Sequence, residues 1–512
     1  MTHPHRVLTA AAGAAFLLLF SCRPPASRSP SPARNLAALD SVTSGIMELP
    51  VTTASADARN HFLQGRRELD LGRGLEANEH FKAAVAVDGG FALAYLFAAN
   101  TANSLAEFKS NLDQAERHAT GASDAERLLI QMARKGLDND VNGQLALAQQ
   151  LVTKYPESAR AYLVLATVQG ALNRNADARV SMTKAVGLAP RLLVAHTDLG
   201  NSYLFGEPKD FANSLEHMQH AEALAPNEPY MHDLLGDVYR AQNNLEQARA
   251  EYTRGHELDP TDASLQQQRG HVNSFLGSYD AARADYDSAI ALGRVNEKAG
   301  YAPFRAYVSI HAGDPKEAIA ELNRLVAGAD TMGAPNARGV KIGALSDIAV
   351  IGIETRDFAA AEEALKLRTP LLMQQADEIG SPAFRRSQEA NVAYFEAWLA
   401  ARKGDYAAAG RATNRMATLV TPDANPRRLE PVHELKGYSA LYQGNFREAA
   451  GHFAQGNLDD PYVKYQYAVV LDGAGDKDKA KQLFRELAVY NFNNAGYALI
   501  RKDAQQKAAV VS

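Results

Sequence analysis

Cysteine is nearly absent from this 512-residue chain, which has one, at position 22. That excludes an internal disulfide framework and any zinc or iron–sulfur site built from several thiolates. Positive charge is not in excess either: 54 lysines and arginines stand against 59 acids, a net of −5. Such a balance offers no basic field to hold DNA or RNA non-specifically. No Gly-Lys pair occurs, so a phosphate-binding loop of the usual kind is excluded, and neither a GxSxG elbow nor an HExxH helix is found. What the chain does have is core-forming material, at 46% hydrophobic and 22% charged residues.

The N-terminus reads as a targeting segment. His3, His5 and Arg6 precede an uncharged apolar run from Val7 to Phe20, too short to span a bilayer as a helix. The run ends in Leu19-Phe20-Ser21-Cys22, which resembles the lipobox of bacterial lipoproteins, with Phe20 where a smaller residue is usual. The resemblance implies cleavage before Cys22 and acylation of that cysteine, which is the lipidation site expected here. Two or more acyl chains hold a protein stably at a membrane. After Cys22 the Pro- and Ser-rich stretch reads as an extended tether. Arg23 stands where aspartate acts as an inner-membrane retention signal in some proteobacteria, so the expected address is the outer membrane, facing the periplasm.

From about residue 58 a period governs the chain. Counting from Gly236, Tyr239 lies at +3, Ala248 at +12, Tyr252 at +16, Gly255 at +19 and Pro260 at +24. Similar offsets start at Gly65, Ala166, Gly200, Gly270, Ala306, Ala349, Ala397, Gly437 and Ala468, and two degraded copies lie between Tyr95 and Pro156. Small residues at the first, +12 and +19 positions let two antiparallel helices approach closely, and the large residue at +16 fills the space beside them. Glycine recurs at +7, in Gly277, Gly313, Gly404, Gly444 and Gly475, where a left-handed residue would close the first helix. The pattern resembles the tetratricopeptide repeat. It implies an all-α, right-handed superhelical solenoid of about twelve TPR-like helix hairpins.

The expected organisation is a signal peptide over 1–21, an acylated cysteine and tether over 22–57, an N-terminal array over 58–330, a C-terminal array with a capping helix over 340–503, and a tail over 504–512. Repeat spacing widens after Ala306 and Ala349, which places loops or helix extensions near 329–341 and 376–389.

Two constellations invite a chemical reading. Gly72-Arg73-Gly74-Leu75-Glu76-Ala77 matches a dinucleotide fingerprint in letters, but it falls at a turn between two helices with no strand before it. His196, His217, His220 and His232 are close in sequence, yet His196 and His232 share a repeat position where a packing side chain belongs, so no metal is expected. No cofactor is expected either.

In this family the first helix of each hairpin lines the concave face, at positions −3, +1 and +4 or +5. Those positions place Tyr394, Trp398, Arg402, Tyr438, Tyr442 and Tyr465 on one wall, with Tyr462 one turn earlier, as candidates for binding a partner, the alternative being that the aromatics are core. The equivalent N-terminal positions are polar: Thr197, Asn201, Asp233, Asp237, Arg240, Gln267 and His271. The repeats leave no room for a catalytic domain. The function expected is therefore a non-catalytic scaffold at the cell envelope whose groove binds envelope proteins or peptides. The alternative is a lipoprotein that captures a small molecule or glycan.

Overall fold

The computed structural model describes residues 48–102, 104–293, 295–423 and 425–510. Cys22, the signal segment and most of the tether lie outside the described residues. Among those described, the chain forms 25 α-helices arranged as twelve antiparallel hairpins and one closing helix. The hairpins are α1–α2 (Ala56–Asp70, Gly74–Val87), α3–α4 (Ala92–Asn100, Leu105–His118), α5–α6 (Asp124–Leu137, Val141–Lys154) and α7–α8 (Ala159–Ala171, Asn175–Leu188). They continue with α9–α10 (Leu193–Phe205, Phe211–Leu224), α11–α12 (Pro229–Ala241, Leu245–Leu258), α13–α14 (Ala263–Phe275, Tyr279–Leu292) and α15–α16 (Val295–His311, Pro315–Gly328). The last four are α17–α18 (Ala334–Thr355, Phe358–Ile379), α19–α20 (Pro382–Lys403, Tyr406–Val420), α21–α22 (Glu430–Tyr442, Phe446–Phe453) and α23–α24 (Pro461–Ala474, Lys477–Ala488). α25 (Ala495–Val510) closes the array. The whole is an all-α, right-handed superhelical solenoid, each hairpin packed on the next.

The glycine at the head of each repeat does what its spacing implies. A Cβ on Gly65 would sit 2.7 Å from the Phe81 ring, and one on Gly437 would sit 3.0 Å from Phe453. Each ring lies sixteen residues after its glycine and fills the cleft between the two helices. The five glycines at +7 all have positive φ, from 77° at Gly277 to 94° at Gly475. Asn139, Asn173 and Asn243 take the left-handed position in three other hairpins, and Arg356 takes it in a fourth. Asparagine is among the few residues that visit this region readily. The next helix is then capped by a side chain, as where Asp405 accepts from the Ala408 N–H and Asp314 from the Glu317 N–H.

The two widened spacings are helix extensions. α17, α18 and α19 have 22 residues each, against 13 to 15 for most of the other helices. Their extra turns carry Ala376, Ile379 and Phe384 into a core shared with Phe62, Phe97, Phe108 and Leu112 of the first two hairpins. The superhelix thus closes on itself. Asn139, at the α5–α6 turn, donates to Asp423, after α20, at 2.9 Å, and Arg428 holds the same carboxylate at 2.9 Å.

Two boundaries differ from expectation. Residues 48–55 are fastened to the array rather than free: Leu49 is buried, Glu48 pairs with Arg66 and Arg160, and the Thr52 N–H donates to Glu126 at 2.7 Å. Residues 504–510, expected as tail, continue α25, where Ala504 is fully buried. An apolar residue every third or fourth position keeps that helix on its neighbours.

Candidate functional site

The seven candidate residues of the concave wall sit on α19, α21 and α23, the first helices of three successive hairpins. Five of the aromatics meet. Trp398 stacks on Tyr438 with ring centres 5.4 Å apart, lies 5.7 Å from Tyr462 and 6.2 Å from Tyr394, and donates its indole N–H to Tyr442 at 3.2 Å. The Arg402 guanidinium covers the Tyr442 ring at 4.7 Å and reaches the carbonyls of Ile353 and Glu354. Tyr465 stands apart, edge-on to Phe484 and bonded to Asp503.

The wall is core rather than open surface. Trp398 is 1% exposed, Tyr438 0%, Tyr462 2% and Tyr394 3%. Only Arg402, Tyr442 and Tyr465 keep partial access to solvent. The repeat register fixes which residues face inward, but superhelical closure decides what they meet, and here they meet α17 and one another. The open-groove expectation is corrected on that point.

Beneath the cluster lies a carboxyl group. Glu434, 3% exposed, accepts from the Tyr394 hydroxyl at 3.2 Å and from the Asn457 N–H at 3.0 Å. Burial pushes its pKa up to about 8, against the pull of the Asn457 N–H, with Asp460 adding to the rise. Asp347, buried beside Tyr307 with a hydroxyl–carboxylate distance of 2.7 Å, is pushed up to about 7 by burial.

The polar N-terminal wall is also buried, and it forms a connected network. Arg240, fully buried, donates to Asp237 at 2.8 Å and to Gln268 at 3.3 Å, and the Tyr252 hydroxyl reaches the same Asp237 oxygen at 2.7 Å. Gln268 bridges Asp233 and Asp237 at 3.1 Å each, while His271 accepts from the Gln267 amide at 3.1 Å through Nε2 and lies 2.7 Å from the Tyr286 hydroxyl through Nδ1. Burial holds the His271 imidazole neutral, its pKa well below the ordinary value. Thr197 is buried and Asn201 partly so.

The feature that repeat spacing alone did not bring out is what covers this wall. Residues Tyr490 to Asn494, between α24 and α25, carry no regular structure and lie against the C-terminal ends of α9, α11 and α15, while Arg501 of α25 lies over Phe275 at the end of α13. The +4 or +5 rule does point to the residues they touch, Phe205, Arg240, Phe275 and His311.

The remaining constellations are structural. Gly72, at φ 73°, turns α1 into α2, and Arg73 beside it pairs with Glu68 at 3.0 Å and with Glu228. His196 and His217 approach to 3.4 Å and His220 stacks on His196, while His232 bonds Glu251 at 2.9 Å. Among the described residues no group of three or more His, Cys, Asp or Glu is placed to hold a metal ion.

Residues 230–262, which span α11 and α12, match the tetratricopeptide repeat family. A 145-residue stretch is 28% identical to the protein O-mannosyl-transferase TMTC1 of Mus musculus, covering 28% of this chain and 15% of the mouse protein. Among solved structures, the chain is similar to the Cut9-Hcn1 hetero-tetramer of APC/C at 15% identity, TM-score 0.40, over 87% of this chain and 76% of that one. It is also similar to a thermophilic TPR protein of Thermus thermophilus at 22% identity, TM-score 0.27, over 42% and 98%. YrrB, described as a TPR protein with an unusual peptide-binding site, matches at 18% identity, TM-score 0.25, over 35% and 89%.

Proposed function

We propose that this chain is a non-catalytic scaffold that binds partner proteins, anchored through acylated Cys22 at the cell envelope and facing the periplasm from the outer membrane. The observation that carries the reading is architectural. All 25 α-helices among the described residues belong to the hairpin array or its closing helix, so the fold is invested in extended surface and not in a catalytic chamber. The anchor rests on the lipobox-like sequence at Leu19 to Cys22.

Of the wall candidates, Arg402, Tyr442 and Tyr465 are the ones a partner touches, because they retain surface. Trp398 and Tyr438 hold Tyr442 in place from beneath, and Tyr442 in turn carries Arg402. The likeness to the mouse transferase covers 15% of that protein, and nothing in this chain's site supports a transfer reaction.

The test is a pull-down of the native protein from solubilised membranes, with identification by mass spectrometry, beside a Cys22→Ser variant. Envelope proteins enriched by the wild type, with the variant released from the membrane fraction, support both parts. Retention of the variant in the membrane sinks the anchor, and enrichment of no protein sinks the scaffold.

A further inference from the structure

The three longest helices, α17, α18 and α19, bury one arginine among them. Arg368 of α18 is 2% exposed; its Nε donates to the Ser346 hydroxyl of α17 at 2.6 Å, and its Nη2 to the side-chain oxygen of Asn391 on α19. The Phe395 ring lies 4.7 Å from the centre of the guanidinium. No carboxylate among the described residues pairs with Arg368, and burial alone pushes its pKa down to about 9. Nη1, a terminal nitrogen with two N–H groups, is buried with no acceptor.

The other buried arginines among the described residues are answered. Arg73 pairs with Glu228, Arg240 with Asp237 and Arg428 with Asp423, and Arg501 spends Nη1 on the Tyr490 carbonyl and the Tyr497 hydroxyl. A buried cation facing no opposite charge is costly to fold around. The Phe395 ring and two neutral acceptors offset part of that cost and leave the charge itself unmatched. Beside Arg368 stands a cavity of about 170 Å³, lined by Leu365, Lys366, Arg368 and Thr369 of α18 with Val392 and Glu396 of α19. It sits on the turn that Pro370 interrupts, since proline has no N–H to give the Lys366 carbonyl. Its exposed rim is Lys366 and Glu396; Arg415 holds Glu396, and Lys366 also reaches Glu363. Val392 and Glu396 fall off the groove positions of α19, which are Tyr394 and Trp398.

We propose that this cavity between two hairpins binds one tetrahedral oxyanion of the phosphate class, held at its inner end by Arg368 Nη1 and at its rim by Lys366. A guanidinium and an ammonium together match a dianion, and arginine is the favoured donor to such oxygens. The space excludes whole small-molecule ligands, whose sites run to about 300 Å³ and above. The bound ion ties α17, α18 and α19 through one charge. The extra turns of α18 and α19 are those that close the superhelix on the first two hairpins, so the anion stabilises the closed form. The site goes beyond the scaffold reading and stands without it.

The probe is inorganic phosphate, radiolabelled and followed by equilibrium dialysis against the full-length protein in chloride buffer of fixed ionic strength. The wild type should bind one equivalent per chain. Arg368→Met keeps the side chain's reach and removes its charge, and should weaken binding at least about tenfold. Lys366→Glu changes only the exposed rim, where folding is not at stake, and should weaken binding about fivefold. In thermal melts, phosphate at ten times its Kd should raise the wild-type midpoint by about 1–2 °C and leave Arg368→Met unmoved. No phosphate bound by the wild type, or equal binding by Arg368→Met, overturns the proposal. If Arg368→Met loses its helical circular dichroism, Lys366→Glu decides, and binding equal to the wild type overturns the proposal. Equal protection by chloride at the same ionic strength marks a general salt effect and overturns it too. Glycerol 3-phosphate, run in parallel, tells two sources of the same chemistry apart. Its exclusion supports a site for the free ion, and its equal binding supports one for a phosphate monoester.

Discussion

Replacing Glu434 by glutamine tests whether the aromatic wall is dry. In the folded chain the Glu434 carboxyl is pushed up to about 8, while an ordinary glutamate titrates near 4.5. A carboxyl whose folded pKa is raised contributes stability that is full below the unfolded value and is lost as pH rises through the folded one. In the wild type this group therefore costs little at pH 5 and more at every step up to about pH 8, where it begins to ionise in place. Between pH 5 and pH 7 the linkage integral amounts to about 2–3 kcal/mol, from about 1.4 kcal/mol per unit. Glutamine keeps an acceptor for the Asn457 N–H and carries no titration. Asp347, also raised, drifts with pH in both proteins and cancels in the difference. Thermal melts of both forms by circular dichroism at pH 5, 6, 7 and 8 should show the variant's advantage growing steadily with pH. A gap that stays constant from pH 5 to 8 would refute the reasoning, because Glu434 would then be solvated and the wall open to water.

Other expectations follow from the packing. Trp398 is the chain's sole tryptophan, so its emission should be blue-shifted and resist quenching by acrylamide in the native protein; emission near that of free tryptophan would place it at the surface. Gly437→Val forces branched carbon into the Phe453 ring, which a Cβ alone would approach to 3.0 Å, and should cost about 1–3 kcal/mol in denaturant melts. At Asn173, left-handed at φ 62°, alanine should cost about 1–2 kcal/mol while glycine is near neutral; the reverse order would mean that the turn is held by its side chain.

The hairpin lattice was readable because it rests on steric exclusion between residues close in sequence. Gly236 must be small where Tyr252 lies sixteen residues later, and both letters are visible. The closure of some turns was missed because asparagine does at 139, 173 and 243 what glycine does at 277, and asparagine is too common a surface residue to stand out. At the wall, spacing correctly brought Trp398, Tyr438, Tyr442 and Tyr462 together. Their burial was not readable, since it depends on α17 and on how far the superhelix turns before meeting itself. The cover at residues 490–493 was hidden for the same reason: Asn491 and Arg240 are 251 positions apart, and no local rule links them.

The contact between Asn139 and Asp423 has a consequence for the chain's history. An open coil can gain or lose a hairpin anywhere, because each unit answers only to its neighbours. A coil fastened across its turns cannot. One hairpin added between residues 243 and 383 would rotate everything after it and carry Asp423 away from Asn139, Phe384 away from Phe62, and Asn491 away from Arg240. Copy number, which drifts freely in unfastened arrays, is here as tightly set as the length of a strand in a closed barrel, and new length has to enter at loop tips or at the ends.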